Sequence, residues 1–84
     1  MELRELNADL AEYFSVDRGI LVLNVDEDSP LGLRSGDVIL AIDGRAVEET
    51  RDVYRILGSY ETDEAVTFTV MRRGQETRVD GTVH

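Results

Sequence analysis

Gly32-Leu33-Arg34-Ser35-Gly36-Asp37-Val38-Ile39-Leu40-Ala41-Ile42-Asp43-Gly44 is the stretch of this 84-residue chain whose reading decides its fold. A glycine-bounded loop feeds an apolar strand over Asp37 to Ile42, and an Asp-Gly turn follows at once. Gly36 and Gly44 stand where the backbone needs positive φ or a close approach. Val38, Leu40 and Ile42 alternate with Ile39, Ala41 and Asp43. Both sets are largely apolar, which predicts a strand that is mostly buried.

Working outward, Gly19 to Val25 reads as a second strand. Ile20, Val22 and Asn24 share one face, and Leu21, Leu23 and Val25 the other. Its near-continuous apolarity predicts a central position. Asp26-Glu27-Asp28-Ser29-Pro30 breaks it from the next strand, with Pro30 ending any pairing. Further upstream, Asn7 is a helix N-cap with Asp9 and Glu12 near the positive first turns. A short helix follows over Ala8 to Phe14, with Leu6, Leu10 and Phe14 on one face, and Asp17-Arg18-Gly19 makes a turn. Downstream, Arg45 to Val47 is a short extended piece. Glu48-Glu49-Thr50 opens a helix to about Leu57, with Val53, Ile56 and Leu57 as its inward stripe and Gly58 as C-cap. Ala65 to Arg72 is a strand with Val66, Phe68 and Val70 on one face. Arg73-Gly74 turns it into a weaker, polar strand over Glu76 to Val83. This order of elements predicts a single α+β domain over 1–84, a small partly open β-barrel capped by two helices.

Composition narrows the function. A hydrophobic share of 42% supports one modest core, and the absence of cysteine leaves no disulfide or thiolate metal site. No apolar run approaches the ~20 residues of a membrane helix, so direct membrane insertion is not expected. Met1-Glu2-Leu3-Arg4-Glu5 is charged and is no signal peptide. The net charge is −9, from 18 acidic residues and 9 basic ones that are all arginine. A surface of that sign argues against nucleic acid as a partner. It steers basic partners inward, or serves solubility alone.

Residues capable of chemistry form no catalytic constellation. Counted from Asp26, the glycine and glutamate positions of a calcium loop hold Leu31 and Asp37, so Asp26-Glu27-Asp28 reads as a solvated turn. Asp37 and Asp43 flank one strand beside glycines, where carboxylates hold backbone N–H groups. Asp80-Gly81-Thr82 reads as a turn or a frayed end. Ser15, Ser29, Ser35 and Ser59 lie near no histidine, and the one histidine, His84, is terminal. Gly32 and Gly36 lack the lysine of a phosphate loop. Arg72-Arg73 reads as a solvated hairpin tip. The expectation is a non-enzyme with no cofactor and no metal.

The stretch from Gly32 to Gly44 resembles the Gly-Leu-x-x-Gly-Asp-x-Ile-x-x-x-(Asn/Asp)-Gly signature of PDZ domains. The resemblance runs along nearly the whole chain. Leu6-Asn7-Ala8-Asp9-Leu10-Ala11, Gly19 to Val25, Ser29-Pro30, the Gly-Asp segment, the second helix and Val70-Met71-Arg72-Arg73-Gly74 follow in the family's order. The type is similar to that of bacterial high-temperature-requirement (HtrA-like) proteases. Two departures stand out. The family's carboxylate-binding loop would stand just before Met1, so either the chain is a fragment of a larger protein or its edge strand is shortened. Ser29-Pro30-Leu31-Gly32-Leu33 is also several residues shorter than the usual Ser-Pro-Ala-x-x-Ala-Gly-Leu, which implies that a small helix there is lost or reduced to a turn.

The resemblance implies capture of an extended or C-terminal peptide segment by β-strand addition. The edge strand is then Met1 to Leu6, with Met1, Glu2, Leu3 and Arg4 pairing the ligand. Thr50, Tyr54 and Leu57 face the groove from the second helix. It implies an extracytoplasmic, periplasmic setting and a parent protease. The alternative is a structural or assembly domain with a vestigial or self-occupied groove, used for subunit or interdomain contacts. An open sheet edge at Met1 to Leu6 also predicts a weak homodimer by strand pairing.

Overall fold

The alternating apolar stretch becomes β3 (Val38–Ile42), with strands on both sides. β2 (Ile20–Asn24) pairs with it antiparallel through Ile20–Ile39 and Leu21–Val38. β5 (Ala65–Arg72) pairs with it from Val38–Met71 to Ile42–Phe68, with a register shift between Ile39 and Ala41. β1 (Glu2–Glu5) and β6 (Gln75–Thr82) close the path, and β4 (Arg45–Ala46) pairs the end of β3. The result is a six-stranded antiparallel sheet in the order β1-β2-β3-β5-β6 with β4 off the path. Two helices complete it, α1 (Ala8–Tyr13) and α2 (Thr50–Gly58). This computed structural model describes residues 1–84 except Ser15, Asp17, Glu27 and His84. Readings placed on those four therefore lie outside the described residues: the Asp17 turn, the middle of the acidic break, and the roles of Ser15 and His84.

Burial follows the predicted faces. Ile20, Val22, Ile39, Ile42, Val53, Phe68 and Val70 are fully buried, and with Leu33, Val47, Ile56, Val66 and Val79 they form the core. β5 is β-branched and aromatic on its inner face, which suits a half-buried pleated strand. β2 is central as expected, yet Leu23 is exposed. α1 starts where Asn7 predicts: the Asn7 side chain accepts from the Leu10 N–H at 2.8 Å. Its buried residue is Ala11, while Leu6, Leu10 and Phe14 are half-buried.

Some boundaries differ from expectation. Gly58 is the last residue of α2, and Ser59 is the C-cap at φ −85. The Ser59 hydroxyl donates to the Ile56 carbonyl at 2.6 Å, satisfying a helix-end acceptor without a left-handed glycine. Asp80 belongs to β6, where its carboxylate accepts from the Thr67 hydroxyl at 2.9 Å; the strand context there is paired, not frayed. Both tight turns carry positive φ at their two central residues, Asp43 (48) with Gly44 (82) and Arg73 (52) with Gly74 (78). That is the pattern of turns whose twist matches antiparallel strands.

Asp37 and Arg72 tie distant parts together. Asp37 is buried at 1% exposure. It accepts from the Arg72 guanidinium at 2.9 and 2.7 Å and from the Arg34 N–H at 2.8 Å. Arg72 is thus no solvated hairpin tip; the carboxylate hydrogen bonds hold it firmly charged. Asp43 likewise accepts from the Thr67 N–H at 2.8 Å and from the Tyr60 hydroxyl. The shortened Ser29–Leu33 segment is a turn at Pro30 and Leu31, as expected. It lies against β6, where the Thr82 N–H donates to the Pro30 carbonyl at 2.9 Å.

Candidate functional site

β1 is the end of the sheet that lies beside α2. Its four residues pair with β2 through Glu2–Asn24, Leu3–Val22, Arg4–Leu21 and Glu5–Ile20, with a bulge between Glu2 and Leu3. One row of its backbone groups is used there, and among the described residues no strand pairs with the other row. Strand alternation from Leu3 onward puts Leu3 and Glu5 on one face and Arg4 on the other. Leu3 is half-buried and packs on the core, which fixes that face as the inner one. Glu5 confirms the direction, because its carboxylate accepts from the Thr50 N–H at 3.3 Å.

α2 forms the opposite wall. Val53 and Ile56 anchor it in the core, at 0% and 4% exposure. With those two turned inward, Thr50, Tyr54 and Leu57 fall on the neighbouring stripe at spacings i, i+4 and i+7. Tyr54 is 52% exposed, an unusual amount for an aromatic on a helix whose other apolar residues are covered. Leu57 packs partly on the core and lines a depression of about 580 Å³ with Asp26, Asp28, Ser29, Pro30, Leu31 and Val83. Met1 and Glu2 line a smaller one of about 240 Å³ with Asn24, Val25 and Asp26.

The N-terminus of α2 is fixed by charge. The Asp52 carboxylate accepts from the Glu48 and Glu49 N–H groups at 3.2 and 3.1 Å and pairs with Arg55 at 3.1 Å. Those backbone hydrogen bonds, with the Arg55 contact, hold the Asp52 carboxyl below its ordinary value. The Tyr60 phenol, donating to Asp43, is pushed above its ordinary value by that hydrogen bond and then by burial. Among the described residues no group of His, Cys, Asp or Glu side chains is arranged to hold a metal ion.

A family model described as PDZ domain matches residues 3–83. The chain belongs to the PDZ family. Over 86 residues it is 36% identical to a probable periplasmic serine endoprotease DegP-like of Marinomonas sp. (strain MWYL1), covering 96% of this chain and 18% of that protein. A counterpart in Pseudomonas putida (strain W619) is 34% identical over 86 residues with the same coverage. The chain thus spans about a fifth of the length of these curated relatives (18%). Among solved structures, a variant of the HtrA-type protease AlgW with decapeptide superposes at a TM-score of 0.90 and 30% identity, covering 98% of this chain and 26% of that one. The HtrA3 PDZ domain bound to a phage-derived ligand (FGRWV) superposes at 0.80 and 20% identity, covering 98% and 79%; at that identity it shows the shared fold.

This PDZ domain is similar in sequence and fold to the HtrA-type protease AlgW. Of the residues singled out by resemblance, Leu3 and Leu57 pack against the core, Thr50 meets β1 through Glu5, and Tyr54 is exposed on α2. Glu2 and Arg4 are on the same strand and exposed, and Met1 stands just before it at 43% exposure. Sequence reasoning missed Glu5, although it follows Leu3 by two residues, the spacing that puts it on the α2 face. It also missed the Asp37–Arg72 pair, whose members are 35 residues apart.

Proposed function

We propose that this PDZ domain captures an extended peptide segment by adding it as a further strand to the free edge of β1, with side chains held against α2. Leu3, Thr50, Tyr54 and Leu57 would contact alternate ligand side chains, and the backbone of Met1, Glu2, Leu3 and Arg4 would pair the ligand's main chain. The observation that carries this reading is an unpaired sheet edge lying beside a helix that exposes a tyrosine. Main-chain hydrogen bonds supply sequence-tolerant affinity, and the wall of α2 supplies selection. The domain works as one module over 1–84 of a longer, extracytoplasmic protein, in keeping with periplasmic relatives that are several times its length.

A chemical-shift titration of the isotope-labelled domain tests this. Peptides are added with free and with amidated C-termini. Shifts centred on Met1 to Leu6 and Thr50 to Leu57 are expected. Loss of those shifts on amidation assigns recognition to a terminal carboxylate, and their survival assigns it to an internal segment. Saturable shifts confined to other surfaces, or none with any peptide, would overturn the proposal.

A further inference from the structure

Several carboxylates crowd the start of α2, and those on the helix side are neutralised. Glu48 pairs with Arg18, Glu49 with Arg51, and Asp52 with Arg55. Glu5 reaches the same place from β1 and pairs with no cation among the described residues. Its polar contact is the Thr50 N–H, at a long 3.3 Å. The side chain is exposed, and it shares the α2-facing side of the strand with Leu3. A segment paired onto β1 therefore lays one of its side chains over Leu3 and a neighbour two residues away over Glu5. An ammonium or guanidinium at that second place meets a carboxylate whose one polar contact is a backbone N–H, and adds an ion pair with a charge-assisted hydrogen bond on its remaining lone pairs. A carboxylate there meets repulsion. The net charge of −9 favours the same ligands during approach.

We infer that the groove selects segments bearing a lysine or arginine over Glu5. This rests on the peptide-binding reading of the β1–α2 groove. The test uses the whole domain and short peptides of valine, threonine and alanine, each with a free and with an amidated C-terminus, in which one lysine, or one glutamate, is moved through every position. At one position lysine should bind about fivefold more tightly than glutamate at low salt, in the range of an exposed ion pair. Glu5→Gln should erase that difference, and Glu5→Lys should invert it. Inversion is the decisive readout, because a merely structural loss weakens all peptides alike. If peptides bind with no lysine–glutamate difference, or if the difference survives both variants, the inference is overturned and the groove reading stands. If no peptide of either kind binds, both fall.

Discussion

At β6 the outer N–H of Thr82 donates to the Pro30 carbonyl, whereas at β1 the outer backbone of Glu2–Glu5 meets no other strand among the described residues. Both are edges of one sheet, and an exposed row of N–H and C=O groups templates unwanted pairing. β6 is eight residues long and would be the more dangerous edge, and there the Pro30–Gly32 turn covers its end. The fit is close: a Cβ on Gly81 would lie 2.6 Å from the Leu31 carbonyl carbon and 2.7 Å from the Pro30 oxygen. The Asp37–Arg72 pair locks the same neighbourhood, because Asp37 ends the loop that the turn begins. β1 is left open but is only four residues long and carries Glu2, Arg4 and Glu5. Brevity and charge protect it from unwanted pairing. Both edges carry exposed charge, and β6 alone adds a covered end, built on a close-fitting glycine beside a buried ion pair.

Removing the lock should give the largest effect. Arg72→Ala strands the Asp37 carboxylate in a buried site and should cost about 3 kcal/mol, the lower end for a broken buried pair because Arg72 is partly exposed. Urea denaturation measures it; a loss under 1 kcal/mol would mean that the covered edge does not depend on the pair. Next, Gly81→Ala pushes backbone against backbone and should cost about 2 kcal/mol by the same measurement. An unchanged midpoint would show that the turn gives way freely. On the open side, Tyr54→Ala should change stability by no more than about 0.5 kcal/mol, as for an exposed position, while weakening peptide binding by about tenfold. A variant that lost both together would make Tyr54 a packing residue instead.

The smallest expected effect is acid sensitivity at the start of α2. The folded-state value of Asp52 is depressed, so its contribution is present above the ordinary carboxyl value of 3.8 and is lost as pH falls through the lower folded value. The protection of the Glu48 and Glu49 amides relative to their intrinsic exchange rates should fall below pH 3.8 in the wild type. In Asp52→Asn it should be lower from the outset and flat over the same range. A wild-type profile as flat as the variant's would remove Asp52 from the account.

Local pattern made most of the scaffold legible. Period-two alternation located β3 and β5, Asn7 marked the start of α1, and Arg73-Gly74 marked the last hairpin. Each of those signals acts within a few residues. What escaped depends on pairs far apart in sequence: Arg72 with Asp37, Tyr60 with Asp43, and Glu5 with Thr50 across 45 residues. A charged residue at a hairpin reads as solvated until a partner is known, and nothing near Arg72 names one. The end of α2 was misplaced for a related reason. A glycine after an amphipathic run signals a left-handed cap, but Ser59 could close the helix with its own hydroxyl. In the groove, resemblance supplied Thr50, Tyr54 and Leu57, and the buried Val53 and Ile56 turn that stripe outward.

The pairing of β1 with β2 steps from Leu3–Val22 to Glu2–Asn24, so the extra residue at the bulge is Leu23 of β2. A bulge bends its strand and increases the local twist. The start of the β1 edge is therefore not flat. A long flat strand of the kind that propagates fibres would part from a twisted edge after a few residues. The bend in β2 thus makes its neighbour a poor seed for a polymer.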